Sequence, residues 1–304
     1  MANLADRTTA LPGAASTWDS VDHMGADSRA RLWVTRGLKV LAYTWLLVFA
    51  LATALPLIWM FSTAIKPNEL VLKMPPVLIP PEPTLEHFEI FFSQMNAWRW
   101  ILNSVVVVTA LTIGHVAFYS MAGYALAKLH FPGRRVLFGV VLATLTVPLY
   151  VILVPLYKMM VDLGWINSYQ GLILPALVGP ASLFLMKQFM STLPSSLIDA
   201  ARVDACSEWR IFTRIVVPLA RPGIAVLAIF TFMGYWNSFI WPLIVTQSSD
   251  MRVLTVGLTL VRFGPFDYGS LMAGSVVAAL PMFMVFLAFQ RYFLRGLTVG
   301  AVKG

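Results

Sequence analysis

The chain has 304 residues, of which 59% are hydrophobic and only 12% charged. A soluble domain carries about 25% charged residues, so this composition excludes an ordinary soluble protein and indicates a polytopic membrane protein. The net charge of +8 would suit a nucleic-acid binder in a soluble chain, but here the positions of the basic residues account for it, and the single cysteine, Cys206, excludes an internal disulfide and a Cys-rich metal site.

Residues 1–35 form a first region. Its first thirty residues are polar, with neither the basic start and apolar core of a cleavable signal nor a twin-Arg motif. They are expected to be a disordered cytoplasmic tail. Residues 36–304 are expected to be the membrane domain. Six intervals free of Asp, Glu, Lys and Arg follow: Lys39 to Lys66, Arg99 to Lys128, Arg135 to Lys158, Asp162 to Lys187, Arg221 to Asp250, and Asp267 to Arg291. Each exceeds the roughly 20 residues that a helix needs to cross the hydrocarbon core. A spanning strand would alternate in polarity, which these intervals do not, so the fold class is all-α with six transmembrane helices. The spans fall at about 40–65, 101–127, 136–157, 166–190, 219–245 and 269–291. Sixteen Lys and Arg lie on the side of the termini and six on the other. By the positive-inside rule both termini, and the connection between spans four and five, are cytoplasmic.

The connection before span two is long and begins with five prolines between Pro75 and Pro83, which favour extended backbone. Thr84 can cap a short helix whose Leu85, Phe88, Phe91 and Phe92 share a face, and Trp98 and Trp100 suit the membrane boundary. Span two carries Gly114, Ser120, Ala122, Gly123, Ala125 and Ala127, small residues that let helices approach closely. His115 has no acidic partner nearby in sequence and is read as a hydrogen-bonded packing residue rather than a proton relay. Spans three and four each carry two prolines, Pro148 and Pro155, then Pro175 and Pro180. Proline bends a membrane helix and frees carbonyls.

The segment Leu193–Pro218 mixes both charges with a helical pattern between membrane-length apolar runs. Pro194 suits a first helical turn, and Ser196 with Asp199 has capping-box spacing. Between Asp199 and Cys206 the only long side chain is Arg202, so another backbone can approach closely. Ser207 can cap a second helix with Trp209, Phe212, Ile215 and Val216 on one stripe, and Pro218 is expected to end it. On its own the pattern also fits an amphipathic helix pair on the headgroups. Cys206 is expected to be a small packing residue. Span five ends with Gly234-Tyr235-Trp236-Asn237-Ser238-Phe239-Ile240-Trp241-Pro242-Leu243. Amides read sugar hydroxyls and aromatic rings stack on sugar C–H faces, so Tyr235, Trp236, Asn237 and Phe239 are candidate solute-pathway residues; an interfacial aromatic belt is the alternative.

Asp199-Ala200-Ala201, Ala205 four residues on, Ile215 and Val217-Pro218 resemble the EAA loop of bacterial ABC-importer permeases, Glu-Ala-Ala-x3-Gly-x9-Ile-x-Leu-Pro. The spacing matches throughout. Asp199, Ala205 and Val217 stand where the pattern has Glu, Gly and Leu, and Gly at the second suits a tight turn. The Trp-Asn-x-Phe-x-x-Pro-Leu run of span five is similar to that of carbohydrate-type permeases. The Gly296–Gly304 end resembles that of the maltose-type second permease, and the likeness covers residues 36–304. The resemblance implies a coupling helix, with Asp199, Ala200, Ala201, Asp204 and Ala205 against a cytoplasmic ATPase and Val302, Lys303 and Gly304 as a further ATPase contact. It also implies a bacterial inner-membrane heterodimer with a second permease, two ATP-binding subunits carrying ATP and Mg, and an extracytoplasmic solute-binding protein, with membrane lipid around it and no nucleic acid.

No phosphate-binding Gly-x4-Gly-Lys-Ser/Thr, metal-ligand pattern or Gly-x-Ser-x-Gly nucleophile is seen. The chain is therefore expected to have no catalytic residues, metal or cofactor of its own, and to be the permease of an ATP-driven importer for a sugar or sugar-like solute. A self-sufficient secondary transporter is the rival. It would need intramembrane carboxylates, which all six expected spans lack.

Overall fold

The computed structural model describes residues 19–263 and 268–301, all of whose regular elements are helices. The chain divides into two units, Met1–Trp59 and Met60–Gly304. The first unit holds most of helix α1 (Asp19–Ala64), which starts well before the apolar segment expected from residue 40. From Thr35 onward this helix is long and apolar enough to cross a membrane. Its exposed Val40, Leu41, Tyr43 and Leu46 point in different directions, the all-round apolarity of a lipid-facing span.

In the second unit, α2 (Asn68–Val71) and α3 (Glu86–Ser93) lead to α4 (Ala97–Lys128). The Thr84 hydroxyl accepts from the Glu86 amide at 3.1 Å, a turn just before the N-cap position, which Leu85 holds without a side-chain cap bond. Phe88, Phe91 and Phe92 pack inward as expected, with His87 buried beside them, and of the expected face only Leu85, at the N-cap position, is exposed. Helices α5 (Arg134–Thr144) and α6 (Leu149–Asp162) follow, then α7 (Tyr169–Ile173), a 3-10 turn (Pro175–Leu177) and α8 (Pro180–Thr192). Next come α9 (Ser195–Val203), α10 (Glu208–Ile211), a π turn (Phe212–Val216), α11 (Val217–Trp236), α12 (Ile240–Val245), α13 (Leu254–Phe263) and α14 (Tyr268–Ala301).

Among the described residues four helices are long and apolar enough to span: Thr35–Ala64, Ala97–Lys128, Glu208–Trp236 and Tyr268–Gln290. A fifth candidate is the pair Tyr169–Leu177 and Pro180–Thr192, bent by 43°. The expected third span is two short helices, α5 and α6, parted at Leu145–Pro148, where Pro148 brings no N–H and disfavours helix in the residue before it. The fifth span is also displaced. Pro218 does not end the second loop helix: it lies in the first turn of α11, which continues from α10 through the π turn. In that turn the Val217 amide reaches back five residues to the Phe212 carbonyl, and this widened geometry admits a proline that a regular turn would reject. The helix then stops at Trp236 rather than near residue 245.

Helix α4 is the centre of the second unit. It packs most extensively against α8 and α11. A Cβ on Gly123 would lie 2.9 Å from the Met186 backbone carbon, so only glycine permits this approach of α4 to α8. One apolar cluster joins Tyr124, Met186, Met190, Ile198, Ala201, Ile211, Phe212 and Val216 around the C-terminal end of α4. Others join Phe91, Trp100, Trp236 and Leu254, and Val107, Leu111, Met160 and Leu172. Trp100 is therefore buried rather than placed in an exposed aromatic belt, whereas Trp98 is exposed. Trp100 donates its indole N–H to the Ser249 carbonyl and lies over Gly257.

Candidate functional site

The segment 193–218 is a helix, a left-handed turn and a second helix. Pro194 takes the N-cap position of α9, so the helix starts at Ser195 and the expected Ser196–Asp199 capping box does not form. Asp199 instead accepts from Arg202 Nη1 at 3.1 Å. At the far end Ala205 has φ +54°. The Ala205 amide donates to the Arg202 carbonyl and the Cys206 amide to the Ala201 carbonyl, both at 3.0 Å. These two bonds make a Schellman motif, and the left-handed residue it requires is usually glycine. The second helix begins as expected, with the Ser207 hydroxyl accepting from the Arg210 amide at 3.4 Å.

The two faces of α9 differ. Ile198 and Ala201 are sunk in the apolar cluster with Ile211 and Val216, and Cys206 packs at its edge. On the other face Leu197, Ala200 and Val203 are uncovered, Val203 to 87%. Of the five expected coupling residues, Asp199, Ala200, Asp204 and Ala205 are exposed and Ala201 faces inward. Val203 on this open face was not singled out by the sequence pattern, although its three-residue spacing from Ala200, itself three from Leu197, marks one side of a helix. Of the expected second-helix stripe, Phe212 and Val216 are buried while Trp209 is exposed. Side-chain hydrogen bonds fix the segment: Arg202 Nε donates to Glu208 at 2.7 Å, and the Tyr124 hydroxyl of α4 donates to the other Glu208 oxygen at 2.6 Å. The bond to Glu208 is the main reason the Arg202 guanidinium is held still further above its usual pKa. Residues Val302, Lys303 and Gly304 lie outside the described residues.

The second candidate region is a cavity of about 830 Å³ between α4, α5, α6, α8, α11 and α12. Tyr119, Tyr235, Trp236, Ser238 and Trp241 line it among mainly apolar side chains, and its volume lies within the range of small-molecule pockets. Of the four expected pathway residues, Tyr235 and Trp236 are on this lining, and Asn237 and Phe239 are not. Asn237 is exposed and donates to the Met233 carbonyl of its own helix at 2.9 Å. Phe239 packs against the cluster around Leu172 and Val245.

Beside the cavity lies the break between α7 and α8. Two prolines interrupt the helix there, and the carbonyls they free are taken up by neighbouring side chains. Tyr235 donates its hydroxyl to Ala176 at 2.6 Å and Tyr119 to Leu177, also at 2.6 Å. His115 contacts the Ala176 carbonyl through Nε2 at 3.0 Å and the Ser182 hydroxyl through Nδ1 at 2.9 Å, and is buried. The Gly179 amide donates to the Tyr119 hydroxyl. A Cβ on Gly179 would come 2.6 Å from the His115 ring. His115 is thus a hydrogen-bonded packing residue that satisfies the polar groups of a broken helix.

Residues 119–299 match the family described as the binding-protein-dependent transport system inner membrane component. The chain belongs to this family. It is a permease component of an ABC importer and a multi-pass protein of the inner membrane, and its curated relatives are transport permeases rather than ATPases. It is 38% identical over 270 residues to the arabinooligosaccharides transport system permease protein AraQ of Halalkalibacterium halodurans, covering 86% of this chain and 97% of that one. It is 31% identical over 281 residues to the diacetylchitobiose uptake system permease protein NgcG of Streptomyces coelicolor, covering 91% and 93%. The permease also shares its fold with a chain of a bacterial ABC transporter involved in the import of the acidic polysaccharide alginate. The TM-score is 0.76, at 21% identity, over 85% of this chain and 97% of that one.

Proposed function

We propose that this permease moves a sugar or sugar-like solute, an oligosaccharide by preference, through alternating access driven by partner ATPases. Relatives named for arabinooligosaccharides and diacetylchitobiose support the solute class. The aromatic lining from Tyr119, Tyr235, Trp236 and Trp241 suits stacking on sugar C–H faces. Asn237 and Phe239 adjoin this lining and remain pathway candidates, Asn237 on a surface open to a second permease. In this reading α5 and α6 together make the third span and the bent α7–α8 pair the fourth, giving six spans with both termini and the 193–218 loop cytoplasmic.

The observation that carries the reading is the two-sided character of α9. Ile198 and Ala201 anchor it in the core, while Leu197, Ala200 and Val203 offer an uncovered apolar face beside Asp199 and Asp204. An ATPase groove is the proposed partner of that face, with ATP and Mg held entirely on two such subunits and Val302–Gly304 as a second contact. A second permease and an extracytoplasmic solute-binding protein complete the importer, and this chain performs no covalent chemistry. The loop must bind its ATPase differently in the two access states, since equal affinity for both shifts no equilibrium. Val203→Asp on the open face is expected to abolish co-purification of the ATPase subunits while leaving the permease itself folded. Retained co-purification would reject the docking surface. Ala201→Trp would be the poorer probe, because Ala201 points into the core.

A further inference from the structure

Glu208 sits where three separate parts of the chain converge. One carboxylate oxygen accepts from the Tyr124 hydroxyl at 2.6 Å, and the other from Arg202 Nε at 2.7 Å. Arg202 in turn donates to Asp199 at 3.1 Å. One turn beyond Tyr124 on the same face of α4, Lys128 Nζ donates to the Leu193 carbonyl at 2.5 Å and the Ser195 hydroxyl at 3.1 Å. Both Tyr124 and Lys128 are buried. Helix α4 therefore grips the 193–218 loop twice, at its first turn and at its second helix, although α4 is not joined to the loop in sequence. Arg202 ties the two loop helices to each other through the same carboxylate.

The other end of this part of α4 meets the cavity. His115 and Tyr119 hold the carbonyls of Ala176 and Leu177 at the helix break. His115 and Lys128 are thirteen residues apart on one continuous helix, about 20 Å. A loop held only by its flanking helices, α8 and α11, would pass movement only along them.

We infer that Tyr124 and Lys128 are positioning residues that fix the loop's register on α4, with Glu208 as the shared joint, so that α4 carries loop displacement to the helix break beside the cavity. This rests on the ATPase-docking reading above. A phenol bound to a carboxylate makes a stiff joint, because the bond is short and charge-assisted and the ring has few torsions through which the distance could drift. Arg202 on the second oxygen keeps the carboxylate charged and oriented toward Tyr124.

The test uses the reconstituted importer with its partner ATPases and solute receptor. Two quantities are read in Tyr124→Phe, Glu208→Gln and the double variant: solute taken up per ATP hydrolysed, and disulfide cross-linking of Val203→Cys (in a Cys206→Ser background) to a cysteine in the partner ATPase. Cross-linking is expected to persist in all three. Uptake per ATP is expected to fall about fivefold in each single variant, and in the double variant no further than in Glu208→Gln alone, because both changes open one joint. Glu208→Gln has one acceptor oxygen where Glu208 has two, so it cannot hold both Tyr124 and Arg202, and it carries the test if Tyr124→Phe assembles poorly. Unchanged uptake per ATP with intact cross-linking would overturn the positioning role and leave docking standing, as would losses that multiply in the double variant. Absence of the cross-link in the Val203→Cys, Cys206→Ser complex without either further substitution would reject the docking reading and the inference with it.

Discussion

The two ends of α4 are fastened in different ways. At its N-terminal end the donors within the helix go to main-chain carbonyls, while the N-cap residue Asn96 donates to the Asp250 carboxylate at 2.7 Å. Asn103 Nδ2 reaches the Asp250 and Arg252 carbonyls at 2.7 and 2.8 Å, Arg99 the Asp250 carbonyl at 3.1 Å, and Trp100 the Ser249 carbonyl at 3.0 Å. The Asn103 carbonyl oxygen accepts from the Tyr169 hydroxyl at 2.7 Å, and the Ser104 hydroxyl accepts from the Leu254 amide at 2.8 Å. At the C-terminal end the bonds run through charged groups, Lys128, Glu208, Arg202 and Asp199, and Glu208 and Asp199 are partly open to solvent. A buried amide holding two carbonyls fixes one geometry, since nothing replaces its partners once they part. Exposed ion pairs exchange with water at little cost and can be remade in another arrangement. The N-terminal end is accordingly built as an anchor, whereas at the C-terminal end the buried Tyr124 and Lys128 contacts hold while the outer Arg202 pairings can be remade.

The contrast is broken most severely at Asn103, which is fully buried. Asn103→Ala removes the partner of two carbonyls and of the Tyr169 hydroxyl, and is expected to cost about 3 kcal/mol, read as a lowered unfolding midpoint of the purified permease. Glu208→Gln at the other end is expected to cost only about 1 kcal/mol. That difference should shrink as salt is raised, because the Arg202 pairing lost is partly solvent-exposed; the Asn103→Ala difference should be insensitive to salt. A salt-independent Glu208 effect as large as that of Asn103 would erase the distinction. The smallest expected effect is Ala205→Gly. It relieves a left-handed alanine in the Schellman turn, a penalty of about 1–2 kcal/mol, offset by the greater freedom of glycine in the unfolded chain. A net gain of about 0.5 kcal/mol in the same unfolding measurement is expected.

What the sequence made legible was local. Ala205 at the glycine position of the loop pattern sits at positive φ, and Ser207 caps the helix that follows it. The prolines of span four mark a real break, and Gly123 a real close approach. Local rules failed where a neighbour competed. Pro194 took the cap position and displaced Ser196, and the π turn absorbed Pro218 into the span. Trp100 lay near the expected membrane edge, yet its direction around the helix decides burial, and that direction follows from Ser249 and Gly257 about 150 residues away. The same holds for Tyr124 with Glu208, His115 with Ser182 and Asn103 with Asp250. Each pair is an ordinary polar residue finding another across 67 to 147 positions, with no spacing to announce it.

The wide turn at Phe212–Val216 carries a mechanical consequence. Because it lets helix continue through Pro218, the second half of the loop and the span behind it form one 29-residue lever from Glu208 to Trp236, about 43 Å long. Tilting such an arm near Trp209 swings its opposite tip, where Tyr235 and Trp236 border the cavity, without unwinding anything between.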